Sequence, residues 1–202
     1  MPSLPPRPPP LSEILREIAA RDQSTVSVGD LMDAFGGRAM GALLLVFGLI
    51  CTLPLPPGST TIFGAPLMLL APQLMLGARG PWLPRRLRAR TLATADLGKA
   101  LPRVLVWLER AEALSRPRLA FLFGPVGDRT IGLVCTVLAA VLILPIPLGN
   151  ILPAAAVSVL GLALAQRDGA LALLGYALAA ASASVLILAA SLIGRIVTGL
   201  LT

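Results

Sequence analysis

The chain has 202 residues, 56% of them hydrophobic and only 13% charged; with its 19 glycines counted the apolar share is about 65%, against roughly 45–50% in ordinary soluble domains. This excludes a typical soluble enzyme and marks an integral membrane protein. Histidine is absent and Cys51 and Cys135 are the only thiols, which excludes histidine triads, histidine–carboxylate metal centres and four-cysteine zinc or iron–sulfur sites, so no metal and no cofactor are expected.

The first ten residues are proline-rich, lack the apolar core of a secretory signal, and read as a disordered, uncleaved cytoplasmic leader. Residues 11–20 place Leu11, Ile14, Leu15 and Ile18 on one stripe, with Ser12 as N-cap, giving a short amphipathic helix that lies on the membrane or packs on its neighbours. A first apolar arm, Gly41–Leu53, is too short to span comfortably. It is stopped by Pro54, Pro56 and Pro57, reversed at Gly58, and followed by Ser59 and Thr60 at the start of a second arm that contains Gln73 and ends near Gly77.

The net charge of +7 lies wholly within residues 79–129, which hold eleven basic residues against four acidic ones. Between two apolar blocks, such a segment is expected in the cytoplasm against anionic headgroups, with Trp82 as an interfacial anchor. Nucleic acid is not expected as a partner, because only eight aromatics occur in the chain and none is interleaved for stacking. Within this segment residues 101–114 form an amphipathic helix with Leu101, Val104, Leu105 and Leu108 on one face. A second broken pair of arms follows: Thr130–Leu144, a stop at Pro145 and Pro147, then Gly149 and Asn150 opening the next arm. The tail, 170–194, is long enough to span, is uncharged, and carries Ser182 and Ser184 among small residues.

The two broken segments match at a constant offset of 91, from Gly36-Gly37-Arg38 over Gly127-Asp128-Arg129 to Leu53-Pro54-Leu55-Pro56-Pro57-Gly58 over Leu144-Pro145-Ile146-Pro147-Leu148-Gly149. The expected fold is therefore an all-α integral membrane protein with two tandem repeats. Repeat 1 spans 11–90, with its broken hairpin at 39–78; repeat 2 spans 96–168, with its hairpin at 130–166. Each joins an amphipathic helix to a Pro/Gly-broken, re-entrant-like helical hairpin, and a transmembrane helix at 170–194 follows. Arm length favours hairpins opening to one face over single discontinuous spans, which would run in opposite senses.

Helix starts inside a membrane must face protein or a wet cavity. Paired interrupted segments are the pattern of transporter substrate sites, and two positive helix ends favour an anion between them. The candidate substrate-binding residues are Arg38, Arg129, Gly58, Ser59, Thr60, Gly149 and Asn150, with the breaks made by Pro54, Pro56, Pro57, Pro145 and Pro147. Arg38 and Arg129 would grip a phosphate or snorkel to headgroups, and Ser59 and Asn150 would cap helices. No converging catalytic carboxylates are visible, so an enzyme is not expected. Cys51 and Cys135 read as small apolar residues, and the small-residue faces would permit a homodimer.

The leader helix, the Gly-Arg start, Leu53 to Thr60, Arg79-Gly-Pro-Trp-Leu-Pro84, Arg116-Pro-Arg118 and Leu144 to Asn150, in this order, resemble the bacterial ExoD family. The resemblance implies a multi-pass inner-membrane protein associated with exopolysaccharide synthesis, and it brings no catalytic residues. With membrane lipids as surroundings, the expected role is a transporter or lipid-carrier translocation component for an anionic, polyprenyl-linked or other substrate. The alternative is a non-catalytic scaffold or regulatory subunit of the synthesis machinery.

Overall fold

The structure, a computed structural model, describes residues 10–20, 25–52, 59–78, 80–89, 91–93, 105–106, 109, 119–144 and 149–201. The leader 1–9 and the break residues Pro54, Pro56, Pro57, Gly58, Pro145 and Pro147 lie outside them. Of the helix expected at 101–114, only Leu105, Val106 and Glu109 are described, and they are helical.

The described elements are α1 (Leu11–Ala20), β1 (Thr25–Ser27), α2 (Val28–Phe35), α3 (Ala39–Thr52), α4 (Ser59–Met75), α5 (Arg85–Arg88), β2 (Thr91–Ala93), α6 (Pro125–Ile143), α7 (Ile151–Gln166) and α8 (Gly169–Leu201). Short 3₁₀ turns lie at Gly36–Arg38 and Ala120–Leu122. The architecture is helical, as expected, apart from a three-residue antiparallel ribbon that pairs Thr25 with Ala93 and Ser27 with Thr91. Sequence reading had no signal for it, because six residues show no alternation.

Helix α1 packs on the bundle: Leu11, Ile14 and Ile18 are buried in the same cluster as α3 and α7. The Pro10 carbonyl accepts from the Ile14 amide at 3.2 Å, so Pro10 holds the cap position and Ser12 sits buried inside the first turn instead of capping it. Helix α2 does carry a capping box. The Asp30 amide donates to Ser27 Oγ at 3.0 Å and the Ser27 amide to Asp30 Oδ2 at 3.0 Å. Through the 3₁₀ turn, α2 and α3 form one apolar run, Val28–Thr52.

Among the described residues, three helical segments are long and apolar enough to cross a membrane: Val28–Thr52, Pro125–Ile143 and Gly169–Leu188. Helix α6 begins earlier than the apolar arm predicted, because Gly124 and Pro125 supply a start ahead of Asp128 and Arg129. Its 19 residues reach roughly 28 Å.

Helices α3 and α7 pack against each other, as do α4 and α6; the contacts of α3 with α4 and of α6 with α7 close a ring of four. Glycine permits the two main crossings. A Cβ on Gly41 would fall 2.7 Å from the Ala165 amide nitrogen, and one on Gly132 would fall 2.7 Å from the Leu74 carbonyl carbon. Shifted by 91, Gly41 becomes Gly132 and Leu74 becomes Ala165. Each crossing thus sets a glycine of one arm directly against the backbone of another.

Both crossings are antiparallel: Gly48 meets Ala154 and Ser158 while Gly41 meets Ala165, and Gly64 meets Leu142 and Ile143 while Gly132 meets Leu74. Helix α8 folds back after Arg167 and lies along the outside of α7, with Gly175 against Leu160.

Candidate binding site at the helix breaks

The antiparallel crossings sort the ring into two ends. At one end, here the mouth, α3 and α6 begin and α4 and α7 finish: Arg167 Nη1 donates to Asp128 Oδ1 at 3.3 Å, joining the end of α7 to the first turns of α6. At the other end, the tip, the described residues flanking both breaks meet. A Cβ on Gly64 would touch Ile143 and Leu142 at 3.7–3.8 Å, and one on Gly48 would lie 3.2 Å from the Ala154 carbonyl oxygen. Because α4 and α7 occupy opposite corners of the ring, their N-termini open at the tip on either side of its centre.

Asn150 is the best-defined side chain there. It is 6% exposed and stands at the N-cap position of α7, with its carbonyl accepting from Ala154 at 3.0 Å. Its side chain does not cap α7, contrary to expectation. It turns back instead, and Nδ2 donates to the Leu144 carbonyl at 3.0 Å and, more weakly, to that of Leu142 at 3.4 Å. Helix α6 ends at Ile143, so these carbonyls belong to its last turn and C-cap, where the helix supplies no donor of its own, and the asparagine amide provides one. The other face of the amide, Oδ1, is buried without a partner. Ser59 and Thr60 open α4 and Gly149 lies in the turn before α7, so these candidates do gather at the tip.

Arg38 and Arg129 do not join them. Arg38 ends the 3₁₀ turn before α3 and Arg129 lies in the second turn of α6, both at the mouth. Helix α3, 14 residues long, separates them from the tip by about 20 Å. The grouping of these arginines with the starts of α4 and α7 is therefore corrected: Arg38 stands just before α3 and Arg129 in the early turns of α6, whereas the breaks follow those helices, so the helix length sends them to opposite ends.

Arg129 packs over the C-terminus of α4, its Nε 3.1 Å from where a Cβ on Gly77 would stand. Gly77 (φ 84°) closes that helix in a Schellman arrangement, with Ala78 bonded to the Gln73 carbonyl and Gly77 to that of Leu74, both at 2.9 Å. A cation there faces the negative end of the helix. The guanidinium of Arg167 also stands 5.7 Å from the ring centre of Phe123.

A family model described as "Exopolysaccharide synthesis, ExoD" matches residues 11–188. Protein ExoD of Rhizobium meliloti (strain 1021) is 34% identical over 157 residues, covering 75% of this chain and 65% of that protein, a little under two thirds of its length. The chain belongs to the ExoD family. An uncharacterized protein of Synechocystis sp. (strain ATCC 27184 / PCC 6803 / Kazusa) is 31% identical over 147 residues, or 72% of this chain and 69% of that one. No solved structure matches. Membership of the ExoD family links the chain to exopolysaccharide synthesis, and with its apolar helices it marks a membrane protein.

Two further features of the chain lie at the mouth. Gln73 fastens the segment after α4: its Nε2 donates to the Trp82 carbonyl at 2.7 Å and its Oε1 accepts from the Trp82 amide at 2.7 Å. Trp82 itself is 66% exposed, the posture of an interfacial anchor. Arg88 on α5 reaches Asp33 on α2 with bonds of 2.8 and 3.0 Å, and Arg16 of α1 pairs with Glu109, so the basic segment is tied to the first helices.

Proposed function

We propose that this ExoD-family protein is a non-enzymatic component of exopolysaccharide production in the bacterial inner membrane. In this reading it is two tandem re-entrant hairpins that hold an anionic substrate, such as a polyprenyl-linked phosphate, between the starts of α4 and α7. Residues 79–129 face the cytoplasm. The observation that carries the reading is the meeting of both broken segments at one end of the ring. The broken segments bring no carboxylate of their own to these two positive helix ends, since no Asp or Glu occurs between Arg38 and Arg79 or between Arg129 and Arg167. The mouth arginines, on this reading, engage headgroups.

The test is binding and transbilayer movement of a fluorescent polyprenyl phosphate in proteoliposomes. Ser59→Asp keeps a good helix start yet places a negative charge where the anion would sit. It is expected to weaken binding at least tenfold with helix content unchanged, while Ser59→Asn and the pair Arg38→Gln plus Arg129→Gln retain binding. Unchanged binding in Ser59→Asp with loss in the arginine pair would move the site to the mouth. Absence of any anion binding, with synthase subunits co-purifying, would favour the scaffold role.

A further inference from the structure

Two buried polar atoms among the described residues have no hydrogen-bond partner: Asn150 Oδ1 and Ser182 Oγ. They come from distant positions in sequence but lie close in depth. Helices α7 and α8 run antiparallel with Gly175 against Leu160, so Ser182, two turns further on and on the same face of α8, comes level with Pro153. That is one turn of α7 from Asn150. Ser182 is 1% exposed, and its hydroxyl makes no back-bond to its own helix. Ser158 and Ser184, by contrast, donate to the carbonyl four residues earlier, at 2.8 and 2.9 Å.

The unused valences define what would fit. The Asn150 amide cannot flip to offer a donor, because Nδ2 is held by the carbonyls of Leu144 and Leu142, so Oδ1 remains a pure acceptor. Ser182 offers a hydroxyl proton. An anion would meet Oδ1 head-on. A cation would face the positive start of α7, and the nearby carbonyls of α6 are already engaged by Nδ2. A neutral O–H group satisfies both atoms at once.

We propose that the end of α6, the start of α7 and Ser182 of α8 enclose a hydroxyl-binding site. One O–H donates its proton to Asn150 Oδ1 while its oxygen accepts from Ser182. The site lies on the α8 side of α7 and does not depend on the anion between α4 and α7. Its occupant is a water molecule or an alcohol group of a ligand, and leaving both atoms bare within a bilayer would be costly.

Asn150 is the sole asparagine in the chain, so ¹³C,¹⁵N-asparagine labelling reports this position alone. In phosphatidylethanolamine–phosphatidylglycerol vesicles, solid-state NMR should show magnetisation passing from an O–H proton to the Asn150 side chain. Loss of that signal in D₂O without response to added alcohols identifies water. A shift on adding a polyprenol or an alkyl glucoside identifies a ligand hydroxyl, and both outcomes support the site. Ser182→Ala should weaken the transfer and lower the thermal midpoint by about 2–4 °C. Absence of any such proton overturns the proposal. So does a higher midpoint in Ser182→Ala, since removing a hydroxyl that has no partner relieves a penalty instead of breaking a bond.

Discussion

Gly41 and Gly161 face each other where α3 crosses α7, so close that a methyl on Gly41 would stand 2.7 Å from the Gly161 carbonyl oxygen. The opposing atoms are backbone and cannot swing aside. Gly161→Ala should therefore destabilise the protein by about 1–3 kcal/mol, as overpacking does. Gly37→Ala, where nothing lies within 4 Å, should leave the midpoint unchanged within about 0.5 kcal/mol. Thermal unfolding in detergent, followed by helical circular dichroism, measures both.

Gln73 should hold Trp82 in place. Gln73→Leu removes a reciprocal pair of bonds and leaves the side chain's volume nearly unchanged, at an expected cost of about 1–3 kcal/mol. In a Trp107→Phe background, quenching of Trp82 fluorescence by brominated lipids reports its depth. The profile should broaden in the variant and stay narrow in the parent.

Helix α6 carries an apolar stripe turned away from the ring, with Leu133 51% and Val137 59% exposed, while the neighbouring Leu138 is 5% exposed. In a background with Cys51 and Cys135 replaced by alanine, a nitroxide at Val137→Cys should relax strongly with dissolved oxygen and weakly with a water-soluble nickel complex, as lipid exposure requires. The same label at Ala139→Cys, a fully buried position, should be shielded from both.

The pair of Asp128 with Arg167 is partly exposed, with side-chain exposures of 24% and 55%. Asp128→Asn should thus cost no more than about 1 kcal/mol at low salt, with the difference shrinking as ionic strength rises. A larger, salt-independent loss would mean that the pair closes the mouth more tightly than its geometry indicates.

Several parts of this molecule are written locally. Hydropathy reports the solvent, so the apolar runs that become α3, α6 and α8 were legible from composition alone. Proline removes a donor wherever it stands, so the ends of α3 and α6 near the breaks could be read from Pro54 and Pro145. The offset of 91 was visible only where residue types were kept. The pairing of Gly41 with Ala165 and of Gly132 with Leu74 and Met75 could not be read from the arms, because a helix crossing constrains size at one point and leaves the surrounding identities free.

What the tertiary structure alone decided is which groups share an end. A linear reading joined Arg38 and Arg129 to the breaks because they flank the same arms, yet an α-helix of 14 residues carries its two ends about 20 Å apart. It also read Asn150 as a helix cap from residue type, which fixes what the side chain can donate but not which carbonyls stand within reach. Ser182 carried no mark that sets it apart from Ser184 until α8 was laid against α7. Backbone propensity and hydropathy act over neighbouring residues, whereas the fate of a buried polar atom depends on what distant segments bring to it.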